Sequence, residues 1–303
     1  AFFHSGFFPI HDDTQVQRVF EMKKALSDGM FPVRWVADLG YNYGYPIFNF
    51  YAPLAYYIGG FLMFAGFDAL IATKLMMALG VVLAGVTMYF FARQFWGEMG
   101  GVLSAVLYVY APYHAIQTYV RGDVAEFWAY AFIPLAFLGV YKLYSPKVQK
   151  SKSAKVWLWV IVGSLGYAGI VLSHNLAAMM VTPFLFVFVL FLWFKNRSFP
   201  SLVKLFMPLL LGILLSSFYW LPTLAEMKYT NVLSVVGGGS DYKDHYVCPM
   251  QLWNSPWGFA GSASGCVDGM SFKLGKLHIV LTVLFLFGFF FMRGKNNLYF
   301  LDS

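Results

Sequence analysis

His11-Asp12-Asp13 is the first stretch of this chain whose residue types could do chemistry. A carboxylate there can act as general base toward an acceptor hydroxyl, or help position a metal ion against a phosphate. Asp12 is the better candidate base. Asp13 stands where it can instead cap a helix starting near Thr14 and favour that helix's dipole. Further polar groups follow at long intervals. They are Arg18, then His114, Arg121 and Glu126 around Tyr119-Val120-Arg121-Gly122-Asp123, then His174 in Ser173-His174-Asn175, then Glu226 after Trp220-Leu221-Pro222. The arginine fork suits a phosphate. His11, Arg18, His114, Arg121, Glu126, His174 and Glu226 are therefore candidates for binding a donor phosphate or substrate. Three of these have a plainer alternative: Arg121 can clamp Asp123 or Glu126, His174 can cap a helix junction, and Glu226 can pair with Lys228.

The elements that must position these groups are greasy. The chain is 59% hydrophobic, 20% aromatic and only 12% charged. Repeated long apolar runs point to an all-α, polytopic membrane protein with about seven spanning helices. The expected spans are 69–92, 99–113, 124–144, 156–173, 176–194, 202–221 and 277–292. The chain then divides into a first outer loop (1–68), a helical core (69–221), a second outer loop (222–276) and a final helix with a cytoplasmic end (277–303). The first loop should carry interfacial helices. One is an amphipathic helix opened by the capping-box spacing Thr14-Gln15-Val16-Gln17, with Val16, Val19, Phe20 and Leu26 on its apolar face and Gly29 at its end. Another, over 54–66, is too short to span and reads as half-inserted. Asp68 reads as the N-cap of the first span.

The basic residues test this layout. Arg93, Lys142, Lys147, Lys150, Lys152, Lys155, Lys195, Arg197, Lys204, Arg293 and Lys295 fall on one side, with essentially only Glu98 and Asp302 as acids. That asymmetry places the candidate site on the extracytoplasmic side of a membrane. The net charge of +7 is loop charge of this kind, and nucleic acid is not an expected partner. Cys248 and Cys266 both lie in the second outer loop, where they can pair if the compartment is oxidising. Two cysteines alone do not reach a zinc ligand count. Phosphate-binding loops, dinucleotide fingerprints and metalloprotease or serine-hydrolase motifs are absent. The chain opens at Ala1 within a polar loop and stops just after an apolar run, so at least one upstream helix is expected.

The runs HDDTQVQRVFEMKKALSDGMFPVRWVADLGYNYGYPIFNFYAPLAYY, YVYAPYHAIQTYVRGDVAEFWA, LSHN and HYVCPMQLWNSPWGF resemble the prokaryotic membrane proteins related to 6-pyruvoyl-tetrahydropterin synthase. Those proteins look like members of the GT-C superfamily of polytopic glycosyltransferases. The resemblance covers nearly the whole chain and implies a GT-C-like fold. It also implies an acidic residue in the first outer loop, matched by Asp12 or Asp13, and a sugar donor carried on a polyprenyl phosphate. The acceptor would be an extracytoplasmic glycan, lipid or protein, and a divalent metal ion is a possible cofactor. The alternative is a GT-C-like protein without catalysis, acting as lipid carrier or assembly scaffold in the prokaryotic cell membrane.

Overall fold

The computed structural model describes residues 2–149, 153–196, 199–231, 241–259, 261 and 265–293. Among these the chain is helical, and its single β pairing is an isolated antiparallel bridge between Val36 and Tyr45. Parts of the expected second outer loop (232–240, 260 and 262–264), the expected cytoplasmic end (294–303), and Lys150, Lys152, Arg197, Lys295 and Asp302 lie outside the described residues.

The first loop folds into three helices: α1 (Gln15–Ser27), α2 (Ile47–Phe50) and α3 (Leu54–Phe64). Thr14 is the N-cap of α1 but makes no side-chain cap bond, so the expected capping box does not form. Nor does α1 lie with Phe20 in an apolar face. Val19, Met22 and Ala25 are buried and Phe20 is exposed. The reason is α3, whose Gly59 and Gly60 open a seat for α1. A Cβ on Gly59 would come within 2.7 Å of Val19, and one on Gly60 within 3.1 Å of Met22. Gly29 ends α1 at φ +84°, which lets the Met30 N–H return to the Ala25 carbonyl.

The core begins with α4 (Ala69–Val109), capped by Asp68, whose side chain accepts from Ile71 N at 2.9 Å. Its backbone leaves helical geometry at Gly97 (φ 67°, ψ −170°). A Cβ on Gly101 would lie 2.9 Å from Arg93 Cβ, and one on Gly85 3.1 Å from Val109. Residues 85 and 109 would be about 36 Å apart in a straight helix. The two limbs of α4 therefore fold back on each other. After α5 (Pro112–Ile116) come a π-helical turn (Gln117–Arg121) and then the central helix α6 (Val124–Tyr144). α7 (Pro146–Gln149) is a short connector. α8 (Ser153–Ser173) and α9 (Asn175–Asn196) form a second hairpin, since Tyr167 Oη meets Thr182 Oγ1 at 2.8 Å. α10 (Phe199–Leu215) packs on α8 and bends by 61° into α11 (Ser217–Glu226). α12 (Pro249–Trp253) and α13 (Lys276–Arg293) complete the described chain.

Small residues let the helices approach closely, as they do in membranes. A Cβ on Gly139 of α6 would sit 2.4 Å from the Gly163 backbone of α8. Gly166 stands equally close to Ala136.

Among the described residues the count of seven spans is not reached. Four helices there are long and apolar enough to cross a membrane: Ala69–Val109, Val124–Tyr144, Ala154–Ser173 and Asn175–Lys195. A fifth span results if the bent pair Ser201–Leu215 and Ser217–Tyr229 is one. The expected spans 69–92 and 99–113 are one element folded at Gly97, whose second limb is short. The expected span 202–221 breaks near Ser216. The described apolar part of α13, Lys276–Gly288, is also short. A charge-free run marks apolarity, but where the backbone turns within it depends on glycine conformation and packing.

Candidate functional site

The site is built where the first loop meets the start of α6. Gly122 adopts φ 69°, and Ile10 packs so closely on it that a Cβ would lie 2.2 Å from Ile10 Cδ1. That approach lets the backbone pair: His11 N donates to Val120 O and Asp12 N to Arg121 O, both at 2.8 Å. Gln15 reinforces the junction through Nε2 to Gly122 O at 2.8 Å. Asp12 is thereby fixed beside Arg121, with its carboxylate part-exposed and 3.0 Å from His11 Nδ1.

Beneath Asp12 lies a buried charged cluster. Asp123 caps α6 by accepting from Glu126 N at 3.1 Å. Arg121 bridges both acids, Nη1 to Glu126 Oε2 at 3.1 Å and Nη2 to Asp123 Oδ2 at 3.3 Å. Glu126 also accepts from Tyr113 Oη at 2.8 Å, from Tyr130 Oη at 2.9 Å and from Gln117 Nε2. The π-helical turn, closed by Gly122 N to Gln117 O, brings Tyr113, Gln117 and Arg121 round to Glu126 together. Burial raises the Asp123 carboxyl above its ordinary pKa, against the backbone hydrogen bond from Glu126 and the charges of His174 and Arg121. Arg121 thus takes the clamp role that its spacing from Asp123 and Glu126 allowed.

His174 joins from the α8–α9 turn, its Nε2 3.8 Å from Asp123 Oδ2. Asp123, Glu126 and His174 each offer one ligand atom within 4.8 Å of the others. The donor set nevertheless does not suit a divalent ion. His174 Nδ1 accepts from Ala177 N at 3.0 Å, so the neutral ring carries its proton on Nε2, the atom facing the acids. Arg121 already supplies the positive charge between the two carboxylates.

Arg18 packs against the aromatic residues of the first loop. Its guanidinium lies 4.6 Å over the Tyr51 ring, and its Nη1 donates to Tyr56 Oη at 3.2 Å. Tyr56 Oη donates in turn to Gln15 Oε1 at 2.7 Å. Burial first, then Tyr56 and Asp123, push the Tyr51 phenol well above its usual pKa; Arg18 opposes and Asp12 adds to the rise. One phenol therefore feels Asp123, Arg18 and Asp12 together.

The remaining candidates lie apart. Asp13 is not the N-cap, which is Thr14; it lines an open groove of about 670 Å³ with Glu21 and Asp38. The lining of this groove includes none of Arg121, Asp123, Glu126 or His174. His114 stacks on Tyr130 at 4.1 Å beside an apolar cleft of about 180 Å³, and desolvation lowers its pKa to about 4. Glu226 accepts from Asn49 Nδ2 at 2.8 Å rather than pairing with Lys228, fastening α11 to α2. Cys248 and Cys266 form a disulfide. Its loop sits at the same end of the bundle, because Gly275 abuts Pro112 and His278 Nε2 meets Leu107 O at 2.9 Å. Asp123, Tyr113, Gln117 and Tyr130 were not among the candidate site residues. The Asp-x-x-Glu spacing before α6 and the Glu126/Tyr130 spacing along it are the signals that could have found two of them.

The family model of the 6-pyruvoyl-tetrahydropterin synthase related domain, described as a membrane protein, matches residues 48–235. The chain belongs to this family. Arg121, Asp123, Glu126 and His174 lie inside the match to the 6-pyruvoyl-tetrahydropterin synthase related family, while Asp12 and Arg18 precede it. An uncharacterized protein of Lactococcus lactis subsp. cremoris (strain MG1363) is 24% identical over 291 residues, 92% of this chain and 45% of its own length. The chain therefore spans less than half of that relative. No solved structure matches it.

Proposed function

We propose that the chain forms the membrane-embedded part of an inverting glycosyltransferase of GT-C type. It takes a sugar from a polyprenyl-phosphate-linked donor and places it on an extracytoplasmic glycan, lipid or protein. Asp12 takes the proton of the acceptor hydroxyl. The acceptor oxygen bonds to the anomeric carbon, the bond from that carbon to the phosphate oxygen breaks, and polyprenyl phosphate leaves. Arg121, Asp123 and Glu126 position the loop. The observation that carries the reading is the pairing of His11 and Asp12 with Val120 and Arg121. It holds a part-exposed carboxylate over a buried charged cluster at one end of an apolar bundle. A disulfide at that same end fits an oxidising, extracytoplasmic compartment.

A second reading, a non-catalytic lipid carrier or scaffold, draws on the way Arg121, Asp123 and Glu126 satisfy one another without a ligand. The test is sugar transfer by the chain in proteoliposomes supplied with a polyprenyl-phosphate sugar donor and acceptor glycans. Asp12→Asn should lower turnover by about 10²-fold or more with normal insertion. Unchanged turnover would remove Asp12 from the mechanism. Donor binding without any turnover would favour the carrier.

A further inference from the structure

We infer that Arg18, and not Arg121, is the cation that receives the ligand's phosphate group, with Tyr51 and Tyr56 holding its guanidinium in place. The identity of the anion as a lipid-carried phosphate rests on the donor reading above; the cation site itself rests on geometry. Arg121 has both ends of its fork on buried carboxylates. An incoming phosphate would have to displace one of them. Arg18 has no carboxylate within ion-pair distance among the described residues. It is nevertheless half-buried. A guanidinium drawn out of water without a counter-charge is unfavourable, and a bound anion offsets that cost.

The side chain is also held in place. Tyr51 supports its flat face at 4.6 Å and Tyr56 Oη takes one N–H. The Tyr56 to Gln15 to Gly122 hydrogen bonds then tie it to the turn that carries Arg121 and Asp123. The fork keeps further N–H groups for a tetrahedral oxyanion, which it can bind in bidentate fashion. Asp12 is held on that same turn by its N–H to Arg121 O, and Arg18 N bonds back to Thr14 O, so a phosphate on Arg18 is placed at the turn that carries the candidate base. The ligand class that fits is a phosphate mono- or diester joined to an apolar chain, since the site stands at the ends of helices rich in exposed apolar side chains.

The experiment uses the full chain in phosphatidylcholine nanodiscs, titrated separately with a polyprenyl monophosphate, the corresponding polyprenol and inorganic phosphate. Binding is read from intrinsic tryptophan fluorescence. The chain should bind the polyprenyl phosphate at least about tenfold more tightly than the polyprenol. Arg18→Gln should erase that preference. Arg18→Lys keeps the charge but loses the fork and the stacking, so it should retain only part of the preference; it decides the matter if the glutamine variant does not fold. Full preference in Arg18→Gln, or in Arg18→Lys when that variant decides, would overturn the assignment. So would inorganic phosphate binding as tightly as the lipid phosphate, which would make the ligand a free anion. Binding is read without turnover. A protein that shows the Arg18-dependent preference but transfers no sugar keeps the phosphate site and loses the transferase reading.

Discussion

Replacing Arg121 by methionine tests the charged cluster most directly. The change removes the guanidinium and keeps an unbranched apolar stem. It leaves two carboxylates, Asp123 and Glu126, whose side chains are only 6% and 9% exposed. Their oxygens lie within 4.8 Å of each other, so at an effective dielectric constant of about 20 their repulsion is about 3–4 kcal/mol. Breaking a buried ion pair costs about 3–5 kcal/mol, but Arg121 itself is 36% exposed, so solvent screening lowers the expectation to about 2–3 kcal/mol. In thermal unfolding in mild detergent this corresponds to a fall of roughly 5–10 °C.

The pH dependence has a definite sign. Asp123 is already raised above 3.8 by burial, and loss of Arg121 raises it further. The folded state then holds more protons than the unfolded state between the two pKa values, so stability falls as pH rises through that window. The gap between variant and wild type should narrow on acidification. Adding Glu126→Gln should restore part of the loss, with a coupling energy of about 1–3 kcal/mol in a double-mutant cycle. A coupling energy below about 0.5 kcal/mol, or a gap that ignores pH, would refute the clamp.

Two further outcomes are expected. His114 is held neutral with its pKa lowered from 6.5 to about 4, so the folded state binds fewer protons than the unfolded one in that interval. Acidification from about pH 6.5 to 4 should cost about 2–3 kcal/mol, and unfolding curves of His114→Asn should lose that acid sensitivity. Gly139→Leu should destabilise by about 3 kcal/mol or more, because even its Cβ would sit 2.4 Å from the Gly163 backbone; a melting temperature equal to wild type would mean that α6 and α8 can separate without cost.

Much of the scaffold was legible because burial in apolar surroundings leaves a local trace. The runs that became α6, α8 and α9 are long, apolar and nearly free of charge, and Asp68 caps α4 where its position before an apolar run suggested. The helix α1 was placed correctly along the chain, but its buried face was not. Which of Val19, Met22 and Phe20 turns inward depends on two glycines in α3, and a periodicity shared by several faces cannot say where a partner helix will open a groove. Seven separate spans were expected for a similar reason. The reversal at Gly97 and the bend near Ser216 are backbone events inside apolar sequence, and hydropathy does not record them.

For the candidate site, sequence by itself determined the inventory: a carboxylate-rich first loop, an Arg-Gly-Asp-x-x-Glu segment at a helix start, a histidine between two apolar runs, and two cysteines in one loop. It also determined the medium, since so apolar a chain must satisfy its backbone internally as helices. Only the tertiary structure decided which charges neutralise each other. Arg121 is consumed by Asp123 and Glu126, Glu226 is drawn off to Asn49, His114 is lost in an apolar cleft, and Arg18 is left over against Tyr51. Which polar groups meet depends on distances of a few ångströms between residues as far apart in the chain as Asn49 and Glu226, 177 positions, and those distances are set by where glycines such as Gly122 let backbones touch.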